Sequence, residues 1–76
     1  MSIADEALTA RVSNTIAQDN RISGLAVMVR AANGDIFVKG RVDTEEQGSL
    51  IRLVIQGVAG VRRVVIDELQ VTEAKG

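Results

Sequence analysis

Residues 25–42 read LAVMVRAANGDIFVKGRV, and this stretch decides the fold. Asn33-Gly34 is the dipeptide that best accepts the positive φ angles of a two-residue hairpin turn, and the alternating residues around it favour two short strands. Such a turn sets the register of the strands, because Ala32 must lie opposite Asp35 and each further pair follows. In that register one side of the hairpin is apolar throughout, and it carries Leu25, Val27, Val29, Ala31, Ile36, Val38, Gly40 and Val42.

The other side of the hairpin mixes cationic and apolar side chains. It carries Ala26, Met28, Arg30, Phe37, Lys39 and Arg41. The apolar side is expected to face the core, so the mixed side should remain uncovered. Gly40 lies on the apolar side, where its missing side chain is expected to let a helix approach the sheet.

A helix is expected before the hairpin. Apolar residues recur there at four-residue spacing, at Ala4, Leu8, Val12 and Ile16. This spacing predicts a helix over residues 3–19. Ser2 and Asp5 form the capping box that begins it, and Asn20 can adopt the left-handed conformation that ends it.

A second helix is expected after the hairpin. Asp43 follows the second strand directly and has Glu46 three residues further on, so Asp43 is the expected N-cap. Gly57 or Gly60 can end this helix. Its expected apolar stripe consists of Leu50, Ile51, Leu53, Val54, Ile55 and Val58.

Residues 61–72 are rich in β-branched side chains and predict a third strand. The apolar positions of this strand change parity between Ile66 and Leu69. All of them can face the core only if the strand contains one extra residue, so we expect a β-bulge near Asp67-Glu68.

The predicted fold class is α+β, an αββαβ two-layer sandwich in which two helices pack on one face of a three-stranded sheet. The third strand could lie beside either strand of the hairpin. A chain of 76 residues has room for one core, so residues 1–76 are expected to form a single domain with its core at about residues 3–72.

The composition excludes several classes of function. With 46% hydrophobic residues, 25% charged residues and a net charge of −1, the chain lacks the basic balance of a nucleic-acid-binding protein. It contains no Cys and no His, which removes thiol and imidazole chemistry, and no run of apolar residues approaches the roughly 20 that a membrane span needs. The first residues lack the features of a secretory signal, so a cytoplasmic protein or a trimmed piece of a longer one is expected.

The order of these motifs resembles the BON domain, a bacterial module named for osmotically inducible periplasmic and nodulation-related proteins. The resemblance rests on VRAANGDIFVKGRVDTEE at residues 29–46, GVRRV at residues 60–64 and DELQV at residues 67–71. Two features depart from the family pattern: Asp35 and Phe37 replace other residue types, and the closing strand is one residue longer, in accord with the expected bulge.

The resemblance implies a small α/β domain that attaches to phospholipid membrane surfaces, commonly in proteins of the periplasm and cell envelope. It implies no catalytic residues and no cofactor. The function expected on this basis is that of a non-enzymatic module.

The mixed side of the sheet is the candidate site. A surface that combines cationic and exposed apolar side chains suits an anionic lipid surface, where each Arg or Lys contributes about 1 kcal/mol. The acidic residues are expected mostly at the helix ends, away from this surface. The candidate residues for binding a lipid or another partner are Arg30, Lys39, Arg41, Arg63, Phe37, Met28 and Val65.

The same residues permit a second interpretation. The cationic side chains could be merely solvated, while Met28, Phe37 and Val65 are covered by another chain or a neighbouring domain, because exposed apolar patches often mark protein interfaces. The alternative function is therefore self-association or interdomain binding through the open sheet face.

Other kinds of site have weaker support in the sequence. The acidic cluster after the second strand is explained by N-capping, so no metal site is expected. The serines have no histidine to activate them, so no catalysis is expected. Recognition of single-stranded RNA needs several stacking aromatic residues, whereas Phe37 is the only aromatic residue in the chain.

Overall fold

The computed structural model describes residues 2–72. Its elements follow the predicted order: α1 (Ile3–Gln18), β1 (Ala26–Ala32), β2 (Asp35–Val42), α2 (Glu45–Gln56) and β3 (Arg63–Val71). The strands form one sheet in the order β1-β2-β3. The pair β1/β2 is antiparallel and the pair β2/β3 is parallel, so the third strand lies beside the second strand of the hairpin.

The hairpin has the register that its turn predicts. Ala32 pairs with Asp35, and the pairing continues to Ala26 opposite Arg41. Asn33 and Gly34 have φ angles of 55° and 87°, which are the left-handed values that a turn of this kind requires. The apolar side of the hairpin faces the helices, and its fully buried residues are Ala31, Ile36, Val38 and Val42.

Gly40 corrects one expectation. Its φ angle is 137°, and a Cβ atom at this position would meet the carbonyl oxygen of Ala26 and, at 2.9 Å, the Cα atom of Val27. The missing side chain therefore makes room for the backbone of β1. It does not make room for a helix.

The helix α1 begins as predicted and ends differently. The hydroxyl of Ser2 accepts a hydrogen bond from the Asp5 amide at 3.1 Å, and the Asp5 carboxylate accepts one from the Ser2 amide at 3.4 Å. The helix ends one residue before the predicted end, at an Asp19 C-cap with extended backbone, so the expected left-handed cap at Asn20 is wrong. The backbone turns after Asp19 and inserts Ile22, which is fully buried, under the helix layer.

The helix α2 begins one residue later than predicted. Its N-cap is Thr44, whose hydroxyl accepts a hydrogen bond from the Gln47 amide at 3.2 Å. The Gln47 side chain accepts hydrogen bonds from the amides of both Asp43 and Thr44, at 2.7 and 3.2 Å. The expectation that Asp43 is the N-cap is therefore wrong. The hydrogen bonds accepted by the Gln47 side chain stabilise a helix that begins after Thr44, the next residue along the chain.

Leu53 does not belong to the buried face of α2, although the sequence analysis placed it in the apolar stripe. At 3.6 residues per turn it lies roughly 200° around the helix from Ile51, and 66% of its surface is exposed. The buried face of the helix consists of Gly48, Ile51 and Ile55. The helix ends at Gly57, one of the two predicted positions.

The strand β3 contains the predicted bulge. Phe37 pairs with Val65 and Lys39 pairs with Glu68, so two residues of β3 lie opposite Val38 of β2. The extra residue is at Ile66-Asp67, one position before the predicted pair. It keeps Leu69 on the same face as the inward residues that precede it, where Leu69 packs against the core.

The two helices form the second layer. The helix α1 packs against β1, α2 packs against β3, and the helices contact each other. The ten buried core residues come from both layers and from the loop after α1: Leu8, Val12, Ile16, Ile22, Ala31, Ile36, Val38, Val42, Ile51 and Ile55. Among residues 2–72, the helices cover one face of the sheet and no element covers the other, which is called the open face below.

Candidate functional site

The open face is a grid of four rows across three strands. Paired residues of neighbouring strands point to the same side, so each row contains one residue of each strand. The rows are Ala32-Asp35-Arg63, Arg30-Phe37-Val65, Met28-Lys39-Glu68 and Ala26-Arg41-Gln70. All seven candidate residues lie on this face.

The row Arg30-Phe37-Val65 forms the centre of the open face. The guanidinium carbon of Arg30 lies 5.0 Å from the centroid of the Phe37 ring, a cation–π contact. Phe37 and Val65 are half-buried, while Arg30 is exposed. The guanidinium therefore covers much of the aromatic ring, and the face offers less apolar surface than its composition suggests.

The row Ala32-Asp35-Arg63 contains an ion pair. The Nε atom of Arg63 lies 3.2 Å from Oδ2 of Asp35, whose side chain is only 17% exposed. Oδ1 of the same carboxylate is buried and accepts no hydrogen bond among the described residues. Arg63 already has an anionic partner on its own chain, so it contributes less to an external anion site than Lys39 or Arg41.

The remaining two rows carry the most accessible groups. Met28 is 74% exposed, and Lys39 and Arg41 are exposed beside it. Neither cation forms an ion pair with another residue between positions 2 and 72. These three side chains are the part of the open face that is most available to a partner.

Three acidic residues of the described chain lie at the open face, although the sequence led us to expect the acidic residues mostly at the helix ends. Asp35 pairs with Arg63, and the bulge brings Glu68 beside Lys39. Asp67 lines the same surface at the bulge. Four cations and three carboxylates leave a formal charge of about +1, so the face is less cationic than expected. The predicted bulge was itself the signal that could have revealed Glu68.

A shallow depression lies in the middle of the open face. It has a volume of about 280 Å³. Arg30 of β1 lines one side of it, Phe37 of β2 lies in the middle, and Val65, Asp67 and Glu68 of β3 line the other side. This depression places opposite charges on either side of an apolar floor.

Two side chains of α1 hold the hairpin that carries the site. The Thr9 hydroxyl accepts a hydrogen bond from the Ala31 amide at 3.0 Å, and the Asp5 carboxylate accepts one from the Asn33 amide at 3.0 Å. The bond from Asn33 is the main reason that the pKa of Asp5 lies below its usual value. These contacts join the hairpin to α1 by satisfying one backbone donor of β1 and one of the turn.

The described residues contain neither a cluster of metal ligands nor a membrane-spanning helix. Between positions 2 and 72 there is no group of three potential metal ligands. No helix in this part of the chain has the length and apolarity to cross a membrane. The predicted site residues come together on the open face.

The comparison with protein families adds an independent observation. The family model described as BON domain matches residues 4–73, nearly the whole chain. The chain belongs to the BON domain family. Members of this family are non-catalytic binding domains and are generally described as phospholipid-binding. No curated protein matches the chain by sequence.

Two of the arginines on the open face have partners within the sheet. The guanidinium of Arg30 lies over the Phe37 ring, and that of Arg63 forms an ion pair with Asp35. In this BON domain, Lys39 and Arg41 have no such partner among the described residues.

Proposed function

We propose that this BON domain attaches to anionic phospholipid surfaces through its open face. The observation that carries the proposal is the cluster of Met28, Lys39 and Arg41. It combines the most exposed large apolar side chain of the described sheet with two cations that have no ion-pair partner among residues 2–72. Family membership supports the lipid class, and the cell envelope is the setting that the resemblance implies.

The charges of the open face support weak and salt-sensitive binding. Each Lys or Arg close to anionic headgroups contributes about 1 kcal/mol. Arg63 is paired with Asp35, so Lys39, Arg41 and Arg30 supply most of the attraction. At physiological salt the Debye length is about 8 Å, so only cations close to the headgroups contribute.

The apolar residues support shallow contact with the membrane. Met28 is flexible and unbranched, so it can adapt to the irregular boundary between headgroups and acyl chains. Phe37 is partly covered by Arg30 and contributes less. The expected attachment is to the membrane surface, without deep insertion.

Co-sedimentation with vesicles tests the proposal. We expect binding to vesicles that contain phosphatidylglycerol, little binding to pure phosphatidylcholine, and weaker binding at about 0.5 M salt than at about 0.05 M salt. The double variant Lys39→Gln/Arg41→Gln should bind at least tenfold more weakly, because two contributions of about 1 kcal/mol are lost.

Arg52→Gln provides the matched control. Arg52 is an exposed cation on α2, in the layer that covers the opposite face of the sheet. Its replacement lowers the net charge without changing the open face, so binding should change little. Binding that ignores lipid charge and salt, or equal losses in both variants, would contradict attachment through the open face.

Self-association through the same face is the second candidate function. The 74% exposure of Met28 favours it, because an accessible apolar side chain on a sheet is also suited to a protein partner. Light scattering over a range of concentrations should then show a dimer that Phe37→Glu disrupts. A monomer at every concentration would eliminate the homodimer.

A further inference from the structure

The depression on the open face has opposite charges on its two sides. Arg30 comes from β1, and Asp67 and Glu68 come from β3. The strand β2 separates them, so their backbones lie about two strand spacings, or roughly 10 Å, apart. A ligand that bridges the depression must carry a negative group at one end and a positive group at the other.

The charged groups of the depression have no competing ion pairs among residues 2–72. The guanidinium of Arg30 is oriented by the Phe37 ring beneath it, and its N–H groups remain available to a phosphate. The β-bulge brings Asp67 and Glu68, consecutive residues, to the same depression, so two carboxylates act together. Because Arg30 covers Phe37, Val65 provides the apolar surface beside Asp67 and Glu68.

We propose that this depression binds a phosphoethanolamine headgroup. The phosphate is bound by Arg30, the primary ammonium by Asp67 and Glu68, and the two-carbon linker lies over Val65. This inference rests on the proposed membrane attachment. It names phosphatidylethanolamine as the neutral lipid that the open face prefers.

The chemistry of the positive end distinguishes ethanolamine from choline. A primary ammonium has three N–H donors and can form charge-assisted hydrogen bonds with both carboxylates. A quaternary ammonium has none and is usually recognised by the faces of several aromatic rings. Phe37 is the only aromatic residue of the chain, and Arg30 already occupies its face. The depression therefore favours the primary amine.

Two sets of vesicles, each made of two lipids, test the inference. All contain the same fraction of phosphatidylglycerol, and the remainder is either phosphatidylcholine or phosphatidylethanolamine. We expect phosphatidylethanolamine to increase the affinity of the wild-type domain at least threefold. Equal affinity for the two sets, with binding to phosphatidylglycerol intact, would overturn this inference and leave the proposed function standing.

A double variant separates headgroup recognition from lipid packing. Asp67→Asn/Glu68→Gln should lose the preference for phosphatidylethanolamine. Because two negative charges are removed, it should bind the phosphatidylcholine set more tightly than the wild type does. The control Asp43→Asn/Glu45→Gln removes two exposed acids near the start of α2 and should retain the preference. If Asp67→Asn/Glu68→Gln, folded as judged by circular dichroism, keeps the preference, the inference is wrong.

Titration with soluble headgroups distinguishes binding of a membrane lipid from binding of a free headgroup. It also tests the inference if the domain binds no vesicles. Amide resonances of Arg30, Phe37 and Glu68 should shift on titration with O-phosphoethanolamine and shift much less with phosphocholine. Shifts without any vesicle binding would assign the depression to the free headgroup and remove the membrane proposal. The absence of both shifts and vesicle preference would overturn the inference.

Discussion

Gly40 is the residue whose replacement should be tolerated least in the hairpin. Its φ angle of 137° is unfavourable for any residue with a Cβ atom, and that atom would collide with the backbone of β1. Gly40→Ala should lower the free energy of unfolding by about 3 kcal/mol, combining backbone strain with the collision. Gly24→Ala is the control, because a Cβ atom there would meet no atom within 4 Å beyond its chain neighbours, and its cost should stay within about 0.5 kcal/mol. Urea denaturation measures both, and similar costs would contradict the assigned backbone geometry.

Asp19 and Arg21 give a prediction about pH. The guanidinium of Arg21 donates hydrogen bonds to both carboxylate oxygens at 2.7 and 3.0 Å and lowers the pKa of Asp19 from 3.8 to about 2. A carboxyl pKa that is lower in the folded state stabilises the fold above the unfolded value. This stabilisation is therefore complete above about pH 4 and is lost as the pH falls from 3.8 towards 2.

Arg21→Gln should raise the pKa of Asp19 towards 3.8, because the hydrogen bonds from the Arg21 side chain are the main reason that this pKa is low. Carboxyl carbon resonances recorded across the acid range give the midpoint directly. The stability difference between variant and wild type should be present at neutral pH and disappear near pH 2. An unchanged midpoint in the variant would refute the role of the guanidinium.

At the scale of the element, the start of α2 shows how a cap is selected. The sequence predicted a cap at Asp43, whereas the structure has a capping box formed by Thr44 and Gln47. Thr44 is the cap because Gln47 accepts hydrogen bonds from two consecutive amides. The known preferences of residue types for the N-cap position favoured Asp43. Those preferences concern the cap residue alone, so they could not account for the hydrogen bonds that the Gln47 side chain accepts.

Thr44→Ala should therefore destabilise the domain by about 1 kcal/mol, whereas Asp43→Ala should cost less than about 0.5 kcal/mol. Thr44→Ala removes the acceptor for the Gln47 amide, and Asp43→Ala leaves every hydrogen bond of the cap in place. Equilibrium unfolding in urea ranks the two variants. The reverse ranking would mean that Asp43 is the cap.

At the scale of the whole molecule, one core lies between the helices and the sheet. Ile51 of α2 is completely buried in it, while Leu53 of the same helix is 66% exposed. A domain of this size is stabilised by about 5 kcal/mol, so the loss of a single large core side chain is a large fraction of the total.

Ile51→Ala should remove about 3 kcal/mol of stability through lost burial and a residual cavity. Leu53→Ala should change stability by no more than about 0.5 kcal/mol, although it deletes the same number of side-chain carbon atoms. Thermal unfolding followed by circular dichroism compares them. Comparable losses at low protein concentration would show that Leu53 is covered within the domain.

The hairpin, its register and the division of its residues between two faces follow from the order of the amino acids alone. Asn33-Gly34 permits one tight turn, and side chains on a strand alternate with a period of two, so the face of each hairpin residue follows from its distance to the turn. The same parity argument predicted the bulge in β3 and brought the seven candidate residues to one surface. These features are local, and local periodicity encodes them.

The neighbour of β3, the start of α2 and the charges that meet on the open face emerged only when the elements were packed together. The parallel pairing of β2 with β3 joins Arg63 to Asp35 and brings Asp67 and Glu68 opposite Arg30. Such contacts depend on how segments that are distant along the chain pack together. The packing energy of distant segments produces no periodic pattern of residues, so it cannot be read from the sequence. Most of the candidate surface was therefore predictable from the hairpin, while the balance of charge on it depended on how the third strand pairs.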